Sequence, residues 1–189
     1  MKKLIAMFLA ALTALSLTAC AAKSGAQPDA SEIPDALTIL NTVWASYSEE
    51  EKFPAAGGDY SEANMTDGQP GTVGLENASD VEYLLSIPAS VVAMADDGAS
   101  LFHMMNGNTF TCGAYRVKEG TDVDALAQSI RDAIQGRRWM CGFPDKIIVA
   151  TVDNYIVSVF GLEDLVDNFR DTMVSVYPAT SVVFDEPIE

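Results

Sequence analysis

Apolar residues recur along this chain with several distinct spacings, and each spacing predicts a different kind of segment. Behind Lys2-Lys3 an apolar stretch runs from Leu4 to Leu17, shorter than the roughly 20 residues a membrane-spanning helix needs. From Asp35 to Glu51, the residues Leu37, Leu40, Val43, Trp44 and Tyr47 fall three and four apart. That is the stripe of an amphipathic helix, with Asp35 placed to cap its start. Glu49, Glu50 and Glu51 sit at its C-terminal end, where the helix dipole disfavours acids, so fraying is expected before Phe53-Pro54. Residues 55–79 lose the pattern: Gly57-Gly58, Gly68, Pro70, Gly71 and Gly74 predict a long Gly-rich loop, a kind of segment that often carries function. Val81, Tyr83, Leu84, Leu85 and Ile87, and then Val91 to Met94, are apolar but too short to assign between strand and helix.

The second half is more sharply patterned. Leu101–Met105 and Thr109–Lys118 flank Asn106-Gly107, a hairpin signal in which both central residues take positive φ. Thr121 with Asp124 resembles a capping box. It opens a helix whose buried stripe is Val123, Leu126, Ala127, Ile130, Ala133 and Ile134, with Arg137-Arg138 favourably placed at its C-terminal end. Lys146–Thr151 and Tyr155–Phe160 form a second pair of β-rich runs over Asp153-Asn154. A last helix carries Leu162, Leu165, Val166, Phe169, Met173 and Val176, and Ser181–Phe184 supplies an edge strand. The expected class is α+β: an antiparallel sheet built from two hairpins in ββαββα order, helices packed on one face, and an N-terminal helix in front.

The start of the chain carries an address. A basic beginning, a short apolar stretch and Leu17-Thr18-Ala19-Cys20 resemble the signal and lipobox of bacterial lipoproteins. The resemblance implies removal of residues 1–19 and a diacylglyceryl thioether on Cys20, with further acylation such as palmitate. Two or three acyl chains hold a protein at a membrane where one does not, since each buried methylene contributes about 0.8 kcal/mol. Residues 20–34 are rich in Ala, Ser, Gly, Gln and Pro and read as a flexible tether. Residues 35–189 then form a single domain large enough to bury a core.

Removal of residues 1–19 takes away Lys2 and Lys3 and no acid, which moves the net charge from −16 to −18. Such a balance argues against a nucleic-acid partner, whose phosphates must be met by Lys and Arg. It also leaves the lipid on Cys20, rather than surface charge, to hold the membrane.

The residues Met104-Met105-Asn106, Tyr115-Arg116-Val117-Lys118-Glu119-Gly120, the helix behind Val123, and Asn154-Tyr155-Ile156-Val157 together give a pattern that resembles an uncharacterised family of small lipoproteins, a domain of unknown function, from Gram-positive gut bacteria. The resemblance covers about the second half of the mature chain. It implies the lipoprotein class and the α+β architecture and brings no catalytic residue with it. The Gly-rich segment 55–79 and the cysteines at 112 and 141 stand outside that pattern.

Candidate chemistry is sparse. With Cys20 taken by lipid, Cys112 and Cys141 are a candidate disulfide, two separate thiols or a metal pair, and without a Cys-x-x-Cys they offer no redox motif. His103 is the only histidine, which excludes sites needing two or three imidazoles; an ordinary strand histidine is expected. The acids Asp96-Asp97, Asp122, Asp124, Asp153, Glu163-Asp164, Asp167, Asp171 and Asp185-Glu186 show no calcium-loop spacing. Several occupy first turns of helices, and Asp96-Asp97-Gly98 reads as a turn. Gly68 to Gly74 lacks the Lys-Ser/Thr of a phosphate loop. Trp44, Trp139, Phe143 and Met104-Met105 read first as packing. No catalytic, metal or cofactor site is assigned. The expected function is a non-catalytic protein- or ligand-binding module of the envelope, with an envelope protein as its candidate partner. The alternatives are a carboxylate-dependent hydrolase acting, for instance, on glycans, and a small solute-binding lipoprotein.

Overall fold

The computed structural model describes residues 33–189, so the signal segment 1–19, Cys20 and all but the last two residues of the tether lie outside the described residues. The fold is α+β around one antiparallel sheet of eight strands. In chain order the elements are α1 (Ala36–Ala45), β1 (Ala55–Gly57), β2 (Thr66–Asp67), β3 (Gly71–Thr72), α2 (Ala78–Leu85), α3 (Ala89–Val92), β4 (Ala95–His103), β5 (Phe110–Val117), α4 (Val123–Gln135), β6 (Lys146–Val152), β7 (Tyr155–Gly161), α5 (Glu163–Val176) and β8 (Ser181–Pro187). The strands lie in the order β2-β1-β4-β5-β7-β6-β8, with β3 also paired to β4.

Helices cover both faces of the sheet, which corrects the expectation of a single covered face. α1 and α5 pack on one side over Ala99, Leu101, Phe110, Cys112, Ala114, Ile148, Val157 and Val159. α2, α3 and α4 pack on the other over Phe102, Tyr115, Val117, Ile147, Val149, Ile156 and Phe160. The reason lies in the central strands. Every residue of β7 and all but one of β5 is buried, so neighbouring side chains alternate between two apolar cores rather than between core and water. A sheet apolar on both faces needs two helical layers.

Several local expectations change for physical reasons. Asp96-Asp97-Gly98 lies within β4, at a register irregularity between Ala95 and Asp97, and is not a turn. The Asp97 carboxylate accepts from the Ala36 N–H at 2.7 Å, while Asp35 accepts from Thr38 N at 2.7 Å. Two acids therefore satisfy the exposed amides at the start of α1. The N-cap of α4 is Asp122, which accepts from Ala125 N, rather than Thr121. The β4–β5 connection spans residues 104–109, and neither Asn106 nor Gly107 has positive φ. The tight two-residue turn is instead Asp153-Asn154 between β6 and β7, with Asp153 at φ 52°. The apolar segments left open between strand and helix are the helices α2 and α3.

Residues 55–79 are not a plain loop, because they add three short strands to the sheet edge. Their glycines are explained by backbone crossing backbone: a side chain on Gly57 would run into the main chain of Gln69, Pro70 and Gly71. The crossing is pinned from beneath by the buried Ser100 hydroxyl, which accepts from Gly58 N and donates to Gly58 O. Asp59 ties it from outside by accepting from Ser61 N, Asn64 Nδ2 and Gly74 N. Burial alone would raise the Asp59 carboxyl, but these hydrogen bonds together bring it down to about 2.

Candidate functional site

The two ends of the sheet differ in what they present. At the end where β5 finishes and β7 begins, the chain enters the domain. Tyr155 Oη donates to Ile33 O at 3.2 Å and Arg116 Nη1 to Pro34 O at 3.1 Å, while Arg116 Nε lies 2.6 Å from Asp96 Oδ1. Ile33, in the last stretch of the expected tether, already packs against the core. Polar groups finish this end.

The opposite end is made of the β4–β5 loop, the segment between α4 and β6, and the start of α5. Two asparagine side chains bind these loops together. Asn106 Nδ2 donates to Cys141 O at 3.0 Å, and Asn108 Nδ2 donates to Met140 O at 2.8 Å and Gly142 O at 3.0 Å. Leu162 N donates to Thr109 O, and Asp145 N to Gly161 O, which brings the α5 start alongside. Onto this fixed platform the chain places Met104, Met105, Met140, Phe143 and Leu162, all with large exposed surface; Met105 and Phe143 are 77% and 75% exposed. Large apolar side chains gathered on a held platform mark an interaction surface more often than scattered single ones do, and methionines adapt to varied partners. Asp145, Glu163 and Asp164 border the patch, Asp145 Oδ2 accepting from Glu163 N.

Beside it lies an open groove of about 620 Å³, lined by Glu82, Tyr83, Ser86, Arg137, Trp139 and Cys141 among others. The C-terminal ends of α2 and α4 converge on it at Ser86 and Gly136. Arg137 crosses from the α4 end to hydrogen-bond Ser86 Oγ, and its guanidinium carbon sits 5.0 Å from the centroid of the Trp139 ring. Burial lowers the Arg137 pKa, with the neighbouring Tyr83 and Tyr60 hydroxyls acting in the other direction. The Trp139 N–H is buried and meets no acceptor among the described residues.

The remaining sequence candidates are placed as follows. Cys20 lies outside the described residues. Cys112 and Cys141 are both free: Cys112 is fully buried among α1- and α5-side residues, while Cys141 is exposed beside the groove. Burial raises the Cys112 thiol well above its ordinary range. His103 stacks on Phe53 with ring centroids 5.6 Å apart, and its Nδ1 accepts from Met105 N. Asp167 and Asp185 both hold Lys146 and Arg170, a network that ties β6, α5 and β8 together. Trp44 is core, with Nε1 donating to Gly68 O. Among the described residues no group of three or more His, Cys, Asp or Glu side chains is arranged to hold a metal ion, and no helix is long and apolar enough to cross a membrane.

Phe143 and Met104-Met105 depart from the packing role read from sequence and are surface residues. Tyr83 and the asparagine clamps were not singled out from sequence. Their one readable signal is the recurrence of Asn at 106 and 108 beside a methionine pair, and nothing in it names the loop that they grip.

Compared with family models, with curated proteins and with solved structures, the chain matches none.

Proposed function

We propose that this chain is a lipid-anchored protein of the cell envelope, cut before Cys20 and held on the extracytoplasmic face by acyl chains there. In this reading it belongs with the small lipoproteins that its second half resembles. Its ββαββα domain, fronted by α1, is a non-catalytic module that binds another envelope protein through the patch of Met104, Met105, Met140, Phe143 and Leu162.

The observation that carries the reading is the position of that patch relative to the chain's point of entrance. The tether joins at Ile33-Pro34 against Tyr155 and Arg116. The patch is at the far end of the same strands, about 24 Å away for the eight residues of β5. A domain tethered at one end presents its other end away from the bilayer. The bordering Asp145, Glu163 and Asp164, and the net charge of −18 after removal of residues 1–19, favour a partner whose apolar contact surface is rimmed by basic groups.

The test is photo-crosslinking on intact host cells, with the probe placed at Met105, at Phe143 or, as a control, at Glu119 near the opposite end. A partner trapped from 105 and 143 but not from 119 supports the reading. A partner trapped equally from 119, or none from any position in well-expressed cells, overturns it. Labelling with radioactive palmitate, lost in Cys20→Ser, tests the anchor separately.

A further inference from the structure

We infer that the groove beside the patch is a binding site for an organic carboxylate with a flat, apolar body, its carboxylate held by Arg137 and its body by Tyr83.

The argument begins with charge. The chain has 27 acids and 11 basic residues, so a cation without a carboxylate neighbour is unexpected. Among the described residues, Lys52, Arg116, Arg131, Lys146 and Arg170 each lie within ion-pair distance of an acid. Lys118, Arg137 and Arg138 do not, although Glu82 lines the same groove as Arg137; Lys118 is exposed and donates to Ala93 O. Arg138 is exposed and hydrated, which needs no explanation. Arg137 is half-buried, and its guanidinium makes one hydrogen bond, to Ser86 Oγ. The rest of its five N–H donors have no acceptor among the described residues.

Support for the helix ends does not account for this. The carbonyls of Asp132 and Ile134 at the end of α4 are met by the Gly136 N–H, and Glu82 O by the Ser86 N–H. Arg137 reaches past them to lie on the Trp139 ring. A guanidinium held 5.0 Å from an aromatic centroid, with donors beyond the one bound to Ser86, can meet the two oxygens of a carboxylate.

The surroundings select further. Two helix C-terminal ends point their carbonyl dipoles at the groove, which disfavours a doubly charged phosphate more than a singly charged carboxylate. Trp139 is buried, with Phe160 packed against it and Arg137 over its ring, and backs the guanidinium; Tyr83, 75% exposed at the rim, offers a ring face to a flat apolar body. A volume of about 620 Å³ is in the ordinary range for small-ligand sites. The carboxylate could come from a free aromatic acid or from the C-terminus of a peptide ending in an aromatic residue; the chemistry that Arg137 recognises is shared.

The experiment is titration of the full-length protein in detergent, followed by tryptophan fluorescence and calorimetry. The probes are 3-phenylpropionate, its amide, an N-acetylated tripeptide ending in Phe, and inorganic phosphate. Saturable binding of phenylpropionate or the peptide is expected, at least tenfold weaker for the amide and for phosphate, and the stronger of the two acids identifies the source. Arg137→Gln should weaken acid binding at least tenfold while leaving amide binding unchanged; Arg138→Gln should change it less than twofold. Tyr83→Ala, at an exposed position, should weaken acid and amide alike. Should Arg137→Gln fail to fold, the acid-to-amide ratio on the native protein and the Tyr83→Ala series still decide. Equal binding of acid and amide, equal binding of phosphate, or no binding of either acid at millimolar concentration overturns the inference. None of these outcomes bears on crosslinking at Met105 and Phe143, so the two claims fail separately.

Discussion

Where β5 ends and β7 begins, the polar groups of Arg116, Asp96, Asp97 and Tyr155 tie the incoming chain and the start of α1 to the sheet. At the other end of the same strands, asparagine amides spend their hydrogen bonds on neighbouring loops, and methionine, phenylalanine and leucine side chains are left toward solvent. Both ends are held by hydrogen bonds of similar length, so the difference is not one of order. It lies in what the ordered surface shows: one end matches its polar groups to the chain that arrives there, and the other presents apolar area with no partner among the described residues. A surface that is both fixed and apolar costs solubility, and a partner that covers it removes that cost.

The sharpest test contrasts two neighbours at the apolar end. Phe110 is fully buried and packs on Phe53 and Phe169, directly beneath the exposed loop. Phe110→Ala should cost about 3–5 kcal/mol in a denaturant titration, the range for a large buried aromatic. Met105→Ser with Phe143→Ser should change stability by less than about 0.5 kcal/mol, as surface substitutions do, and yet abolish partner capture from intact cells. A large loss of stability from the pair would mean that the patch is structural and would break the comparison.

At the Gly-rich edge, Gly57→Ala places a methyl against the main chain of residues 69–71, and about 1–3 kcal/mol of destabilisation is expected from overpacking. Urea unfolding monitored by circular dichroism reads it directly. At the polar end, Asp97→Ala removes the acceptor for Ala36 N and should cost about 1 kcal/mol, the usual value of a capping interaction, with no effect on partner capture. The smallest effect is one of pH. The folded Asp59 carboxyl is held at about 2, below its unfolded value near 3.9. The folded state therefore binds fewer protons between these values, and stability falls as pH drops from about 4 to about 2. Asp59→Asn should flatten that part of the curve in thermal melts taken across the window; an unchanged slope would show that the Asp59 hydrogen bonds contribute nothing to acid sensitivity.

How much of this was legible beforehand depended on whether the relevant physics is local. The α4 stripe of Ala127, Ile130 and Ile134 reads from spacing because one helix face is buried and the other is not. The Asp153-Asn154 turn reads because two adjacent strands close over it. Asp96-Asp97-Gly98 misleads: its composition is that of a turn, but one acid is bound by Arg116 and the other by the first amide of α1, 61 residues away. The number of helical layers was hidden for a related reason. β5 and β7 are apolar on both faces, and a run without alternation does not say how many faces it buries. Spacing left Cys112 and Cys141 open between a disulfide and separate thiols; the fold buries one in the α1–α5 core and leaves the other beside the groove.

The sequence alone determined the charge balance, the stripes of α1, α4 and α5, the strand runs from β5 to β8 and the segment ending at Cys20, because each of these is a property of neighbours in the chain. Tertiary structure alone decided which faces of the sheet are covered, that the two thiols are free, and that Met104, Met105, Met140, Phe143 and Leu162 are exposed on loops held together at one end of the sheet, beside a groove that Arg137 lines. Those properties depend on contacts between residues tens of positions apart. Bringing such residues together costs loop-closure entropy that only long-range contacts repay, and no periodicity along the chain records which partners they will meet.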